Sequence, residues 1–374
     1  MTLPSYIDRG GEQCLRQPYQ TQNTQSYGCF LRAEQDKLQA LCDRYLNEPS
    51  GGAVSYVPLP FVLVLFTHYP HLASIPQQDQ GFISYEEALF AVPVIEISAD
   101  ESSATSASKA KSVLGTIETF LSNGEDNLEQ SLADIEALLG KLALFYPFIF
   151  ANNSLAIASG REVYGYPKQW GWIDMPQDSG STQPLNLEAA TWQPLGINSQ
   201  AVRQRIAQIT NQTQTNKRRT VADPTALKTD RASIKTQLVQ RTIAQDVDSQ
   251  STISLSEWNQ LIELILIVLT RLFNVSFENV FLKEFRDAVD GTKSCSQAVL
   301  KAPYEQVKVS EFEYLLDQFV VEVPEVESMP IKAQLGLIPL STEHPNQFQS
   351  IVPYRTVFDF QLVNGTLLWQ ADAS

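Results

Sequence analysis

Residues 155–172 read LAIASGREVYGYPKQWGW, and they surround a single lysine with aromatic side chains. That lysine, Lys168, directly follows Pro167 and has Tyr166 and Trp170 two positions away on either side. The apolar run 155–158 predicts a buried strand that leads into an aromatic turn. Burial among aromatic rings disfavours an ammonium ion, so we expect these surroundings to lower the pKa of the lysine. A lysine of lowered pKa can attack a carbonyl group as a neutral amine.

A structural role for Lys168 competes with this interpretation. Most lysines near aromatic rings lay the methylene stem on the rings and keep the amine in water. The two roles differ in the exposure of the amine. We expect a buried amine at the base of a cavity lined by aromatic side chains; an amine in open solvent would remove the basis for carbonyl chemistry.

The stretch 155–171 resembles the signature of the acetoacetate decarboxylase family. There a strand ends in Gly-Arg-Glu, and a Tyr/Phe-Pro-Lys turn supplies the lysine that forms a Schiff base; this position matches Lys168. Residues 281–302 are similar to a strand, turn and strand of the family's barrel. Residues 85–94 place Glu87 at the family's active-site glutamate. The resemblance covers roughly residues 18–97, 148–195 and 279 onward.

The resemblance implies an α+β fold, with a mostly antiparallel, barrel-like core in a single domain over residues 1–374. Alternating apolar runs predict several of the strands. These runs are 54–57, 61–66, 90–97, 148–150, 299–309, 319–323 and 356–362.

Two further segments, at about 104–142 and 213–273, look like helical insertions into this framework. Apolar positions in the first follow helical spacing, and the second ends in a uniformly apolar helix preceded by the capping-box spacing of Ser254 and Glu257. We expect both insertions to lie outside the β core, over the mouth of the cavity or at an oligomer contact.

The resemblance assigns Lys168 and Glu87 to catalysis, with Glu87 transferring protons. It also implies a substrate-binding set of Tyr164, Tyr166, Gln169, Trp170 and Arg161. Two structural alternatives stay open. Glu87 could be an exposed strand-edge carboxylate beside Glu86, and Arg161 could form an ion pair with Glu162 that anchors the turn.

The sequence departs from the family pattern at three positions. Members that decarboxylate acetoacetate carry a second lysine directly after the Schiff-base lysine, and here that position is Gln169. Their early arginine and the glutamate after it fall near Thr24 and Val62. Desolvation alone would then lower the pKa of the lysine, and a substrate carboxylate would lack its expected clamp.

The implied reaction needs no cofactor or metal. Lys168 would attack a keto acid or a related carbonyl compound, and the iminium formed would accept electrons during decarboxylation, aldol chemistry or dehydration. The chain would then be a lyase. The alternative is a non-catalytic relative that binds a hydrophobic carbonyl ligand in the barrel cavity.

Composition excludes several other classes. A net charge of −15 disfavours nucleic acid and anionic membranes as partners. The motifs of dinucleotide, P-loop, serine-hydrolase and zinc-protease sites are missing, and His68 and His71 have no partner motif for a metal. The four cysteines form no CxxC pair, and the N-terminus does not resemble a signal peptide. We expect a cytoplasmic homo-oligomer that acts on a small molecule.

Overall fold

The computed structural model of the chain describes residues 5–7, 14–97, 106–122, 128–176, 183–221, 231–246, 254–274 and 276–371. Its strands are β1 Tyr19–Arg32, β2 Tyr56–Pro58, β3 Phe61–Ser74, β4 Ile83–Glu96, β5 Leu142–Ala151, β6 Lys168–Trp170, β7 Trp172–Asp174, β8 Leu185–Thr191, β9 Val202–Asn211, β10 Arg218–Val221, β11 Phe277–Arg286, β12 Ser294–Leu315, β13 Phe319–Glu322, β14 Gln347–Gln349, β15 Ile351–Leu362 and β16 Thr366–Gln370. Its α-helices are α1 Gln35–Cys42, α2 Ser106–Ser122, α3 Leu128–Leu138, α4 Ser154–Ser159, α5 Arg231–Asp246, α6 Leu255–Leu272 and α7 Ile331–Leu335. Mixed α+β architecture is therefore confirmed.

The strands form a large sheet and a small one. The large sheet has the order β2-β4-β3-β1-β15-β12-β11-β5-β6, with β10 and β16 also paired to β12. The small sheet has the order β14-β13-β9-β8-β7. The prediction of a mostly antiparallel, barrel-like core needs correction, because the large sheet is mixed. While β4 pairs antiparallel along one edge of β5, the other edge takes two parallel neighbours, β11 at 143–145 and β6 at 149–151.

The helical insertions belong to the core rather than lying outside it. Trp258, Ile262 and Leu266 of α6 are buried in the same apolar cluster as Phe358 of β15 and Ile149 of β5. Each such apolar side chain contributes about 1.5–3 kcal/mol when it is fully buried. The helix α6 therefore packs on the large sheet, and its expected position over the cavity mouth or at an oligomer contact stays a prediction.

The helix α6 begins as the sequence predicts. The Ser254 hydroxyl accepts from the amide of Glu257, and the Glu257 carboxylate accepts from the amide of Ser254. These reciprocal bonds satisfy two amides that the first helical turn leaves without partners. No helix in the described ranges is long and apolar enough to cross a membrane.

Both insertions contain less helix than expected. In the first, α2 and α3 account for the helix, and the chain enters β5 at Leu142. In the second, residues 218–221 form β10 on the large sheet, so only α5 and α6 are helical. The parts of these segments at 104–105, 123–127, 222–230 and 247–253 lie outside the described residues.

The predicted strand at 155–158 is wrong, because these residues form α4. Asn153 caps this helix: its side-chain oxygen accepts from the amides of Leu155 and Ala156. One π-helical turn, Gly160–Tyr164, follows and ends at Gly165. The cap at Asn153 thus overrides the strand-like run and starts a helix that turns the chain toward β6.

Candidate functional site

Lys168 is buried, as the aromatic surroundings predict. As the first residue of β6, it lies opposite Ile149 of β5, and its exposed fraction is only 7%. Its Nζ lies 2.7 Å from Oε2 of Glu87. The side chains of this ion pair are 8% and 4% exposed, so two opposite charges meet almost without solvent.

Glu87 reaches the lysine from β4, across the intervening strand β5. It is 3% exposed and lies between Thr67 of β3 and Ala151 of β5, so it occupies an interior strand rather than an exposed edge. The Tyr69 hydroxyl lies 3.4 Å from its Oε1 and donates to it. Oε1 of Glu87 therefore accepts a hydrogen bond, and Oε2 forms the ion pair with Lys168.

Glu86 lies on the opposite face of β4 and forms structural hydrogen bonds there. Its Oε1 lies 3.0 Å from Nδ1 of His68, and its Oε2 accepts from the amide of Asn152. The hydrogen bond from His68 is the main cause that lowers the pKa of Glu86. Glu86 therefore links β3, β4 and the turn after β5.

The Lys168 amine lies in a cavity of about 40 Å³, which we call the lysine cavity. Its Nζ is 5.4 Å from the ring centroid of Tyr85 and 5.3 Å from that of Tyr166, within the range of cation–π attraction. The cavity is lined by Leu15, Tyr19, Tyr69, Leu72, Ile83, Tyr85, Glu87, Ala156, Ser159, Gly160, Tyr164, Tyr166, Lys168, Tyr304, Phe360 and Leu362.

The tyrosines of this cavity stay protonated over a wide pH range. Burial raises the pKa of Tyr69, Tyr85 and Tyr166 well above the ordinary value, and the negative charge of Glu87 raises each further. The pKa of Tyr304 is raised by the same two causes. Protonated phenols can donate hydrogen bonds to an oxygen atom bound beside the lysine.

The turn before Lys168 depends on Gly165. Its φ of +84° is in the left-handed region, and an added Cβ would lie 2.5 Å from Cα of Lys283. The backbone of β11 therefore packs directly on the turn. The Lys283 amine also donates to the carbonyl oxygen of Val163 at 3.3 Å, which holds the turn from the same side.

Other contacts close the lysine cavity. The Tyr164 hydroxyl donates to the carbonyl oxygen of Val363 at 2.9 Å, so Tyr164 lines the cavity while its hydroxyl is held by the backbone. The amide of Leu15 donates to the Ser159 hydroxyl at 2.7 Å, and the Tyr19 hydroxyl donates to the carbonyl oxygen of Leu15 at 2.6 Å. These bonds tie the segment before β1 over the cavity.

The structure does not bring Gln169, Trp170 and Arg161 to the lysine cavity. Because successive strand residues point to opposite faces, Gln169 is directed away from the face that carries Lys168. Trp170 is 47% exposed. Arg161 is exposed and donates to the carbonyl oxygen of Lys168 at 3.2 Å. Arg161 therefore holds the backbone of Lys168 in place. This contact differs from the ion pair with Glu162 that the sequence suggested.

Sequence reasoning missed four lining tyrosines, which are Tyr19, Tyr69, Tyr85 and Tyr304. Tyr85 had a usable signal, since it precedes Glu87 by two residues on one strand and so shares its face. Tyr69 and Tyr304 reach the lysine cavity because of how their strands align with neighbouring strands. The local sequence does not specify this alignment. Thr24 and Val62 are the positions matched to the family's early arginine and glutamate. Both are buried, and neither lines the lysine cavity.

Comparison with known proteins identifies the fold. No protein-family model and no curated protein sequence matches the chain. Two solved structures of acetoacetate decarboxylases match over nearly their whole lengths. The first is 14% identical and covers 98% of this chain and 96% of its own, with a TM-score of 0.53. The second, from Legionella pneumophila, is 13% identical and covers 99% and 93%, with a TM-score of 0.52. The chain therefore has the acetoacetate decarboxylase-like fold, which confirms the resemblance at that level.

Proposed function

We propose that this chain is an enzyme that forms a Schiff base between Lys168 and a carbonyl substrate. The observation that carries the proposal is the buried ion pair: Nζ of Lys168 lies 2.7 Å from Glu87 in a cavity lined largely by aromatic side chains. An amine can act as a nucleophile only after it loses a proton, and a carboxylate at hydrogen-bond distance can accept that proton. The fold shared with acetoacetate decarboxylase supports the same assignment.

The proposed steps use groups of this cavity, the substrate and water. Glu87 takes a proton from the Lys168 ammonium, and the amine attacks the carbonyl carbon. Glu87 returns that proton to the oxygen of the carbinolamine, which leaves as water and gives an iminium ion and the Glu87 carboxylate. A bond from the neighbouring carbon to its leaving group, either CO2 or a proton taken by Glu87, then breaks, and its electron pair moves toward the iminium nitrogen and gives an enamine. The proton that the enamine carbon later accepts comes from water through Glu87 after CO2 is lost, or from Glu87 itself after proton abstraction.

The tyrosine hydroxyls would act on oxygen rather than on the lysine. Tyr69 contacts Glu87, and Tyr304 lines the same cavity. A phenol that stays protonated can donate to the oxygen of the carbinolamine, where negative charge develops during attack. Tyr69 and Tyr304 would therefore orient the substrate carbonyl toward Nζ.

We further propose a lyase reaction on a keto acid or related carbonyl compound, with weak or absent activity toward acetoacetate. No arginine is among the lining residues of the lysine cavity in the described part of the chain. The carboxylate of acetoacetate would therefore meet phenols and Glu87 without a cation to pair with. Repulsion from Glu87 would disfavour acetoacetate relative to a keto acid whose carboxylate lies farther from Glu87, or relative to a neutral carbonyl compound.

One observation favours the alternative of a non-catalytic binding protein. Nζ of Lys168 lies 2.7 Å from the Glu87 carboxylate, and an amine that kept its proton in this ion pair would not be nucleophilic. If Glu87 never accepts the proton, the cavity would bind a carbonyl ligand through hydrogen bonds from the ammonium and the phenols.

Borohydride reduction distinguishes the two functions, because it converts a Schiff base into a stable amine. The protein is incubated with pyruvate, acetone or acetoacetate and borohydride, and its intact mass is measured. We expect a covalent adduct on the natural protein and none on Lys168→Ala. Lys293→Ala, which removes a 75%-exposed lysine, is the matched control and should keep the adduct. An adduct that survives Lys168→Ala, or no adduct with any ketone, contradicts the proposal.

A further inference from the structure

The large sheet has a gap on the edge of β5 that faces away from β4. On that edge β11 pairs with residues 143–145 and β6 pairs with residues 149–151. Between these pairings, residues 146–148 of β5 have no register partner on either strand, although the Tyr146 hydroxyl donates to the side chain of Asn279 of β11. The sheet is therefore open at this point, close to the turn that precedes Lys168.

A pocket of about 500 Å³ lies over this gap, and we call it the seam pocket. Its walls come from both faces of the sheet, since Tyr146 and Phe281 belong to the core cluster of the lysine cavity and Phe145 and Phe148 to the other cluster. It is lined by Tyr45, Phe145, Tyr146, Pro147, Phe148, Arg161, Gly165, Tyr166, Pro167, Gln169, Ala190, Trp192, Phe281, Leu282, Glu284, Phe285, Ser328, Met329, Pro330 and Gln334.

Tyr166 separates the seam pocket from the lysine cavity. It lines both spaces, and its ring centroid is 3.9 Å from that of Phe281 and 5.8 Å from that of Tyr146. The same ring lies 5.3 Å from Nζ of Lys168. Among the described residues, Tyr166 is the one that lines both the lysine cavity and the much larger seam pocket.

The two volumes restrict what each space can hold. One water molecule needs roughly 10–15 Å³ of such volume, so the lysine cavity, at about 40 Å³, accepts a fragment the size of a small ketone. The seam pocket falls within the range of about 300–1,000 Å³ typical of ligand sites. Any substrate larger than acetone or pyruvate must therefore extend beyond the lysine cavity.

We propose that the seam pocket binds the aromatic tail of a carbonyl substrate whose reactive carbon lies at Lys168, with Tyr166 turned aside to join the two spaces. This inference rests on the proposed Schiff-base function. Phe148, Trp192 and Phe285 offer ring faces and edges for an aromatic tail. Arg161 and Glu284 bring opposite charges to the lining, which gives no net preference for a charged tail. An uncharged aryl group attached to a ketone is therefore the ligand class that fits.

The test compares a small ketone, acetone, with an aryl ketone, benzylacetone, in borohydride trapping. Ala190→Trp fills the seam pocket from an exposed position on β8, and Ala53→Trp makes the same change at an exposed turn outside it. We expect both ketones to be trapped by the natural protein. Ala190→Trp should lower benzylacetone trapping at least tenfold and leave acetone trapping unchanged, whereas Ala53→Trp should change neither.

Calorimetry separates the failure of this inference from that of the proposed function. In Lys168→Ala, which cannot form a Schiff base, benzylacetone should still bind, and adding Ala190→Trp should abolish that binding. Acetone trapping without benzylacetone trapping, or benzylacetone trapping that Ala190→Trp leaves intact, would overturn the seam-pocket inference alone. Failure to trap either ketone would overturn the proposed function and the inference that rests on it.

Discussion

A Cβ atom at Gly160 would lie 2.8 Å from Cδ of Lys168 and 2.9 Å from its Cε. The backbone of Gly160 is helical, with φ of −62°, so the conformation itself would accept any residue. The missing side chain therefore provides space rather than conformational freedom. The methylene stem of the lysine occupies that space on its way to Glu87.

Gly160→Ala should therefore disable the site while preserving the fold. The added methyl group forces the lysine stem to move, and this displaces Nζ from Glu87 and from the cavity. Alanine is favoured over glycine in a helix by up to about 1 kcal/mol, which offsets part of the strain. We expect borohydride trapping to fall at least tenfold and the free energy of unfolding to change by less than about 2 kcal/mol.

Gly115→Ala is the control for this change, because a Cβ at Gly115 of α2 meets no atom within 4 Å. It should leave trapping unchanged. Normal trapping by Gly160→Ala would show that the position of the lysine stem does not limit the reaction.

The ion pair itself should show strong energetic coupling. Replacing one partner leaves the other charge buried without compensation, which typically costs about 3–5 kcal/mol. We therefore expect Glu87→Gln and Lys168→Met each to lower the free energy of unfolding by about that amount. The double variant should lose much less than the sum of the two losses, because it buries no unpaired charge.

Urea unfolding of all four proteins measures this cycle. If the stability loss of the double variant equalled the sum of the two single losses to within about 0.5 kcal/mol, the two residues would not be coupled, and the buried ion pair would be contradicted. An exposed pair, such as Arg205 and Glu322 at 3.8 Å, provides the comparison. Its coupling should be within about 1 kcal/mol of zero.

The sequence predicted the parts of the site that depend on local pattern. Lys168 and Tyr166 lie in one short motif, and the two-residue period of β4 relates Glu87 to Tyr85. The same period directs Gln169 away from the face of Lys168, since adjacent strand residues cannot share a face, and Gln169 lines the seam pocket instead. Tyr304 could not be predicted, because its position depends on how the long strand β12 registers against β11 and β15.

The fold could be predicted in outline for the same reason. Alternating apolar runs locate strands such as β3 and β15. The strand β1 was missed because glutamine and asparagine occupy its outward positions and threonine and serine occupy several of its buried ones. The helix α4 was missed because the cap at Asn153 outweighs the strand-like run that follows. The parallel pairing of β5 with β11 and β6 depends on long-range topology, so the sequence of β5 alone does not predict it.

The buried tyrosines predict a loss of stability at alkaline pH. The pKa values of Tyr69, Tyr85 and Tyr166 are raised in the folded protein, so folding binds their protons more tightly than the unfolded chain does. The stability that this provides is complete below the ordinary tyrosine value of about 10 and is lost as the pH rises toward the folded values. Tyrosinate absorbance and unfolding midpoints, followed from pH 8 upward, test this expectation.

We expect ionisation of these tyrosines to coincide with unfolding, because the folded cavity excludes the phenolate. Reversible ionisation of the full set of tyrosines at an unchanged circular dichroism spectrum would contradict the burial of the cavity tyrosines.

Arg241 of α5 carries a charge whose burial is poorly compensated. It is 8% exposed, and burial lowers its pKa to about 10. Its Nη2 donates to the carbonyl oxygen of Ser350 at 3.0 Å, while Nε and Nη1 have no hydrogen-bond partner within the described ranges. No carboxylate of the described residues lies within ion-pair distance of it. Replacement of a buried charge by an apolar side chain of similar length should therefore be tolerated.

We expect Arg241→Met to leave the free energy of unfolding unchanged or to raise it by about 1–4 kcal/mol, because the desolvated charge is removed while the volume is largely kept. The control is Arg355→Met. Arg355 is also buried, but its Nη1 lies 2.7 Å from Oε2 of Glu311. This variant loses that ion pair, so we expect its free energy of unfolding to fall. Urea unfolding at neutral pH measures both. If Arg241→Met lost as much stability as Arg355→Met, the Arg241 charge would have to be compensated by an interaction stronger than its bond to Ser350, and the assignment of an uncompensated buried guanidinium would fail.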